Sequence, residues 1–417
     1  MSRIDDLIAE YCPDGVKHQT LGEIGEFIRG NGIQKRDFRD SGFGCIHYGQ
    51  IYTYYGLFAD HTKSFIDPNL AEKRKKAYKG DLVIATTSEN EEDVCKACAW
   101  LGEEPIAISG DAYIFRHHQN PKYISYCFQS ELFQSQKKKY ITGTKVLRVN
   151  GDAMAKIHVP VPPLPVQEEI VRILDSFSSL EAELEAELEA RKLQYTHYRD
   201  RLLSGESLEA LDGKPVEMMR LGDVCNIQRG ASPRPIKKFV TKDPSGVPWI
   251  KIGDVSTDGK YISCTEERIT SDGAAKSRLL HAGDFVLSNS MSWGRPYILK
   301  IDGCIHDGWL SLTNFRNSFN SDFLYHLLKS SSIQRYWEMK INTGSVSNLN
   351  ADLVKATPIP VPSQATQQKV VSILDRFDAL TTSLTDGLPA EIKARRQQYE
   401  YYRDRLLDFP RKEDAAR

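Results

Sequence analysis

Cysteine is scarce, eight in 417 residues, which is too dilute for a disulfide scaffold; reduced thiols in a cytoplasmic setting are expected. No uncharged apolar run reaches the roughly 18 residues that a membrane-spanning helix needs, so no membrane partner is expected. The opening MSRIDDLIAE carries acids where a secretory leader needs an apolar core. Neither sign of charge is in excess, with 55 Lys+Arg against 56 Asp+Glu. There is no GxGxxG nucleotide loop, no Walker lysine motif and no Ser/His/Asp hydrolase motif, so catalysis by this chain is not expected. What remains is 40% hydrophobic and 27% charged, an ordinary globular composition. It is spread over a length that predicts two or three domains.

The chain repeats itself. LGEIGEFIRG, from Leu21, recurs as LGDVCNIQRG, from Leu221, an offset of 200. VPVPPLPVQEEIVRILDSF, from Val159, recurs as IPVPSQATQQKVVSILDRF, from Ile359, at the same offset. QYTHYRDRLL, from Gln194, recurs as QYEYYRDRLL, from Gln398, so the second copy gains four residues after Phe377. Between these blocks the copies match only in places: Gly49 with Gly253, Gly80-Asp81 with Gly283-Asp284, Asn150 with Asn350. Closely matched flanks around divergent interiors suggest one scaffold carrying two recognition surfaces.

From Gln167 to Leu203 the chain has no Gly or Pro and is rich in Glu, Leu, Ala and Arg, which predicts one helix of about 55 Å. It follows VPVPPLP, read as an extended linker with Pro165 near the helix start. Apolar residues at Ile170, Ile173, Phe177, Leu180, Leu184, Leu188, Tyr195, Tyr198 and Leu202 form a heptad seam with a stutter. The second copy runs Val370, Ile373, Phe377, Leu380, Leu384, Leu388, Ile392, Tyr399, Tyr402 and Leu406, and Gly387 and Pro389 predict a kink or restart. Each helix is the natural partner of the other. An antiparallel pair would act as a spacer between modules in pseudo-twofold relation, and the tandem EAELEAEL unit would set its length.

Charge becomes informative once the chain is divided. Residues 28–150 hold 18 Lys+Arg against 14 Asp+Glu, and residues 222–355 hold 17 against 13, a net of +4 each. Residues 167–203 hold 5 against 9, a net of −4. Basic modules on an acidic connector suit phosphate on the modules and protein on the connector. Candidate contacts in the first copy are Lys35, Arg36, Lys73, Arg74, Lys75, Lys76, Lys137, Lys138 and Lys139, near Tyr48, Tyr52, Tyr54 and Tyr55. In the second they are Arg229, Arg234, Lys237, Lys238, Trp293 and Arg295, near Trp249 and Tyr297. Lys and Arg neutralise phosphates, and Arg, Asn, Gln and Ser can read base edges.

Two motifs tempt. Asn120-Pro121-Lys122-Tyr123 looks like the NPxY of amino-methyltransferases, but the matching residues are Asn320-Ser321-Asp322-Phe323, so the shared feature is an N-cap asparagine. Cys95 and Cys98, followed by His117 and His118, have zinc-like spacing. The second copy has no equivalent, so buried reduced cysteines and no metal are expected.

The two LGE/LGD starts, the two Pro-Val-Pro lead-ins followed by Gln and ILD, and the two QYxxYRDRLL ends resemble the specificity (S) subunits of type I restriction-modification systems. The tandem EAEL unit and LTTSLTDGLPAEIKARRQQYEYYRD look like the branch called type IC. The resemblance covers nearly the whole chain. It implies an α+β fold with two α/β target-recognition domains in tandem pseudo-twofold repeat, separated by two long antiparallel coiled-coil helices. The segments would be 1–158, 159–206, 207–358 and 359–417: first recognition domain, central helix, second recognition domain and terminal helix. Each domain would read one half of a bipartite site in double-stranded DNA, and the helices would set the gap. The resemblance maps two modification (methyltransferase) subunits onto Ile170–Leu203 and Val370–Leu407, with seam residues Ile170, Ile173, Phe177, Tyr195, Tyr198, Val370, Ile373, Phe377, Tyr399 and Tyr402. Restriction/translocase subunits would join them. S-adenosylmethionine, ATP and Mg are expected on those partners, with no cofactor in this chain. Small-residue turns at Thr142, Thr144, Thr343 and Ser345 would touch DNA backbone. The alternatives are a stand-alone DNA methyltransferase and a non-catalytic coiled-coil adaptor.

Overall fold

The computed structural model describes residues 3–255, 259–289, 293–342, 348–383 and 387–412. The chain forms two compact units that are not simply its two halves. The first combines Met1–Ala182 with Ala394–Arg417, and the second is the continuous stretch Glu183–Lys393.

Each unit carries an α/β module with two sheets. In the first unit a five-stranded sheet runs Gly25–Arg29, Ala112–His117, Leu82–Ala85, Lys96–Trp100 and Phe58–Ala59, antiparallel except for the last pair. The second unit repeats this order with Asn226–Arg229, Trp309–Thr313, Phe285–Ser288, Pro296–Leu299 and Tyr261–Ile262. The middle strands, LVIA and FVLS, are buried at every position, as expected where both faces of a strand are covered. The other sheet runs Ser64–Ile66, Phe43–Ile46, Ile106–Ile108 and Lys76–Ala77 in the first unit. Its counterpart runs Glu267–Ile269, Val247–Ile250, Gly303–Ile305 and Arg278–Leu280, with Val240–Thr241 added at the edge.

The scattered matches between the copies mark fixed backbone points. Gly80 and Gly283 have φ of +94° and +90°, a region that favours glycine. The aspartate after each accepts a backbone N–H three residues back, Tyr78 N to Asp81 at 2.9 Å and His281 N to Asp284 at 3.0 Å. Asn150 and Asn350 each cap a short helix, accepting from Ala153 N and Leu353 N, both at 2.8 Å.

The proline-rich lead-ins are more than linkers. His158–Pro160 pairs antiparallel with His18–Thr20, and Pro358–Val361 with Glu217–Arg220. A two-stranded ribbon has a free edge on each strand, so a proline without an N–H is tolerated there. The central helix runs unbroken over Leu164–Leu202, about 58 Å at about 1.5 Å per residue, with Pro165 in its first turn. The second copy forms two helices, Gln364–Thr382 and Leu388–Leu406, so the interruption foreseen at Gly387 and Pro389 is present. Leu384 lies outside the described residues.

Antiparallel helix pairing is present within each unit. Phe177 stacks on Tyr402 with centroids 5.5 Å apart in the first, and Tyr198 on Phe377 at 5.4 Å in the second. Glu181 and Arg396 form an ion pair beside the first stack. The first turns of the helices pack onto the modules as well, so the deepest positions include Leu174 and Leu374, both 0% exposed, one residue beyond the seam positions Ile173 and Ile373.

Candidate nucleic-acid interface

In each unit three distant segments meet at the end of the first strand of the five-stranded sheet. In the first unit Arg29 ends that strand and donates from Nε to Gly110 O at 3.1 Å. Asn31 ties the following loop to the basic run: its Nδ2 donates to Lys73 O at 3.2 Å and its Oδ1 accepts from Lys75 N at 2.8 Å. A single 3₁₀ turn, Lys35–Asp37, then presents Lys35 and Arg36 to solvent. Lys73 and Lys75 are exposed as well. The structure therefore gathers Arg29, Lys35, Arg36, Lys73 and Lys75 around one junction. Arg74 and Lys76 are less available. The Nε of Arg74 is buried without a partner, and the Lys76 ammonium lies 5.6 Å over the Phe43 ring.

The second unit repeats the junction with other side chains. Arg229 donates from Nε to Asp307 O at 2.9 Å, as Arg29 does to Gly110. Ser277 Oγ donates to Ala231 O at 2.6 Å, and Arg278 Nε to Arg229 O at 2.8 Å. Ser232 Oγ donates to Asp307 Oδ1 at 2.5 Å, and that hydroxyl holds the Asp307 carboxyl below its ordinary value. Arg234 lies 3.5 Å from the same carboxylate. The turn Ile236–Lys238 presents Lys237 and Lys238 to solvent. Arg29 and Arg278 were not among the sequence candidates. Arg29 was findable, because the repeated Arg-Gly at the end of the first matched block aligns it with Arg229.

Lys137 is no phosphate contact. It is 1% exposed, and the three protons of its ammonium are shared among four acceptors, Glu91 O, Glu92 O and Val94 O at 2.7, 3.2 and 3.0 Å and Gln134 Oε1 at 2.5 Å. Three loop carbonyls needed a donor, and a run of three lysines in sequence did not reveal that the first points inward. Lys138 and Lys139 are exposed. Beyond them Thr142 and Arg148 exchange backbone hydrogen bonds of 2.9 and 2.8 Å, and the Thr142 hydroxyl also donates to Arg148 O at 3.1 Å. That turn exposes Thr144, Lys145 and Arg148. Its counterparts Thr343 and Ser345 lie outside the described residues.

Most of the aromatic candidates are structural. Trp249, Tyr297 and Tyr55 are 2%, 3% and 6% exposed. Tyr52 donates its hydroxyl to Thr87 O at 2.9 Å. Trp293 packs against the core of the second unit, and Arg295 N donates to Ser288 Oγ at 3.0 Å. Tyr54 is exposed and lies under the Lys63 ammonium at 4.5 Å. Cys95 and Cys98 are each 1% exposed, and burial pushes both thiols up to about 12. Burial also pushes His117 down to about 4. Asn120 and Asn320 cap their helices, accepting from Tyr123 N at 3.1 Å and Phe323 N at 3.2 Å.

The helical candidates divide. Ile170 and Val370 are 0% exposed and Tyr195 is 7% exposed, so these side chains belong to the chain's own cores and are closed to another protein. Tyr399 is half-buried and donates to Gln129 Oε1 at 2.9 Å; Tyr195 Oη lies 2.8 Å from His326 Nδ1. The Asp of each YRD motif receives a backbone N–H: Glu131 N to Asp404 and Ser331 N to Asp200, both at 3.0 Å. The repeated YRD motif is thus a docking device between helix and module. Ile173 and Phe177 are half-buried, while Tyr198, Ile373 and Tyr402 keep 37%, 40% and 37% of their surface. Exposed Leu193, Leu380 and Tyr401, at 73%, 38% and 59%, join them.

The model of the type I restriction modification DNA specificity domain matches twice, over residues 13–190 and 213–394. The chain belongs to that family. A type I restriction enzyme EcoR124I/EcoR124II specificity subunit of Escherichia coli is 34% identical over 279 residues, 64% of this chain and 67% of the relative. A putative type I restriction enzyme specificity subunit of Haemophilus influenzae is 31% identical over 286 residues, 65% and 68% of the two chains. A solved chain, from work on complex assembly and conformational transition of the type I R-M system, superposes with a TM-score of 0.63 at 18% identity. It covers 94% of this chain and 97% of its own length, and shares its fold. Family membership accounts for the duplicated α+β architecture and the long helices. None of the described helices is long and apolar enough to cross a membrane.

Proposed function

We propose that this chain is the address-reading subunit of a type I restriction-modification complex, each module reading one half of a bipartite DNA site. The observation that carries the reading is the duplicated junction. One backbone arrangement, held by Arg29 and Arg229 on equivalent carbonyls, presents different basic side chains in the two units. Exposed lysines and arginines there supply phosphate contacts, and sequence discrimination comes from side chains that differ between the copies. Exposed Leu193, Tyr198, Ile373, Leu380, Tyr401 and Tyr402 supply helix surface for two modification subunits, on which restriction/translocase subunits then assemble. Chemistry resides on those partners, with S-adenosylmethionine, ATP and Mg, and this chain contributes no catalytic group. The assembly works in the cytoplasm, where its DNA lies.

The test is methylation mapping in a host that expresses the chain with its neighbouring modification subunit. The expected result is a split motif with a methylated adenine in each half. Absence of methylation from a verified complex overturns the reading, and methyl transfer by the purified chain alone would establish the stand-alone enzyme. The helices set the gap between halves. Deleting Glu185–Leu188, about 6 Å of helix, is expected to change the accepted gap and leave both half-sites as they were.

A further inference from the structure

Beside the junction of the second unit lies an open cavity of about 1170 Å³, floored by Trp249 and Ile252 and edged by Arg234, Lys237, Lys251 and Glu267. Its cations are of two kinds. Arg234 and Lys237 sit on the exposed loop and turn at residues 231–239. Lys251 stands at the end of a sheet strand, beside the Glu267 carboxylate of the neighbouring strand. Lys251 directly follows the strand Val247–Ile250, and its backbone N–H is held by Asp254 Oδ2 at 2.7 Å. Glu267 opens the neighbouring strand, in register with Trp249. The two side chains meet at 3.0 Å and remain 31% and 41% exposed.

Resting on the function proposed above, we infer that Lys251 and Glu267 read one G·C base pair in the half-site of the second module. Arg234 and Lys237 hold the adjoining phosphates. A guanine offers O6 and N7 acceptors in the major groove and its cytosine offers an N4 amino donor. A lysine spanning the two adjacent guanine acceptors, with a glutamate accepting from the cytosine amino group beyond them, matches that edge in order; an A·T pair sets its amino donor between two acceptors, so a lysine in the same place meets one acceptor and a donor. Base reading needs side chains placed on rigid elements, whereas phosphate contacts tolerate a loop. The first unit does not repeat the pair. Gly49 and Gly253 align the two copies so that His47 takes the place of Lys251, and the strand register puts Ser64, opposite Cys45, in the place of Glu267. His47 is 9% exposed and Ser64 is occupied by the Gln50 amide at 2.7 Å. The two modules therefore differ here in chemistry as well as in residue type.

The experiment is methylation mapping of the assembled complex carrying Lys251→Met, Glu267→Gln or Lys237→Ala, with assembly verified by copurification with the modification subunit. Wild type is expected to require a G·C pair at one position of the second half. Lys251→Met and Glu267→Gln are each expected to relax that position by roughly 10- to 100-fold. The rest of the motif and the whole first half stay unchanged. Lys237→Ala is expected to lower methylation evenly across sites and to weaken its salt dependence. The near-isosteric Glu267→Gln carries the test if Lys251→Met fails to assemble. An unchanged motif with Glu267→Gln, or relaxation in the first half, overturns the inference while leaving the two-module reading in place. No split motif in wild type overturns that reading itself.

Discussion

Three pairs of residues at an offset of 200 separate what the two units must share from what they can exchange. Gln167 and Gln367 are identical and 0% exposed. Each accepts the backbone N–H of the N-cap asparagine, Asn120 at 3.0 Å or Asn320 at 2.7 Å. Each also donates to a lead-in carbonyl, Pro162 O at 2.7 Å or Pro362 O at 2.9 Å. Only a side chain with both a donor and an acceptor serves that position. Tyr126 and His326 differ, although each bonds the aspartate of its ILD motif: Tyr126 donates to Asp175 at 2.7 Å, and His326 Nε2 lies 3.0 Å from Asp375. Lys137 and Trp337 differ most. Both are buried, one satisfying loop carbonyls and the other donating from its indole to Thr357 Oγ1 at 2.7 Å. The position whose side chain must both donate and accept is kept identical, while positions asked chiefly to donate and to fill volume admit exchange.

The comparison breaks first at the glutamines. Gln367 also donates to Ser318 O at 2.8 Å, so Gln367→Leu leaves the Asn320 N–H and the Pro362 and Ser318 carbonyls unpaired in the second unit, and is expected to cost about 3–6 kcal/mol. Chemical denaturation with hydrogen exchange should place the loss in residues 183–393, and Gln167→Leu should place it in the first unit. Lys137→Met is expected to cost about 2–4 kcal/mol by stranding three carbonyls. It should leave the salt dependence of DNA binding unchanged, and a flattened salt slope would return Lys137 to the interface.

The tyrosine–histidine exchange is sharpened by pH. Burial holds His326 below its ordinary value of 6.5, against the opposing pull of Asp375. The unfolded chain thus binds the proton more readily, so the contribution of neutral His326 is present above about pH 6.5 and lost as pH falls below it. His326→Phe is expected to flatten the acid side of the second unit's stability curve and to cost about 1–3 kcal/mol at neutral pH. The first unit, where Tyr126 does not titrate in this range, keeps its slope. The smallest effect is expected from Lys138→Ala: stability within about 0.5 kcal/mol of wild type, and a salt slope for binding shallower by about one charge.

Much of this was legible in the residues. The repeat, the asparagine caps, the Pro165 start and the interruption at Gly387 and Pro389 are local signals, and each produced the element it implied. Pairing over long distances was not legible. Nothing in QYEYYRDRLL says that Tyr399 reaches Gln129, 270 residues earlier, rather than the module it follows. The inward Lys137 and the core Trp249 and Trp293 escaped for a related reason. A charge run or an aromatic has no periodicity from which to read its facing, whereas Leu174 and Leu374 were visible but fell one residue off a seam drawn for helix pairing alone.

The first unit closes by joining two segments almost 400 residues apart in sequence. Val16 N donates to Pro410 O at 2.8 Å and Lys412 N to Val16 O at 3.1 Å, and Leu407 and Phe409 enter the core that holds Ile4, Val16 and Ile170. During synthesis at about 5–20 residues per second, residues 183–393 occupy roughly 10–40 s. Throughout that interval the first-made module lacks the helix that completes it, while the later, continuous unit has all its parts as soon as it leaves the ribosome. The order of translation and the order of completion are therefore reversed: of the two units, the one whose strands are made first is the last to become finished.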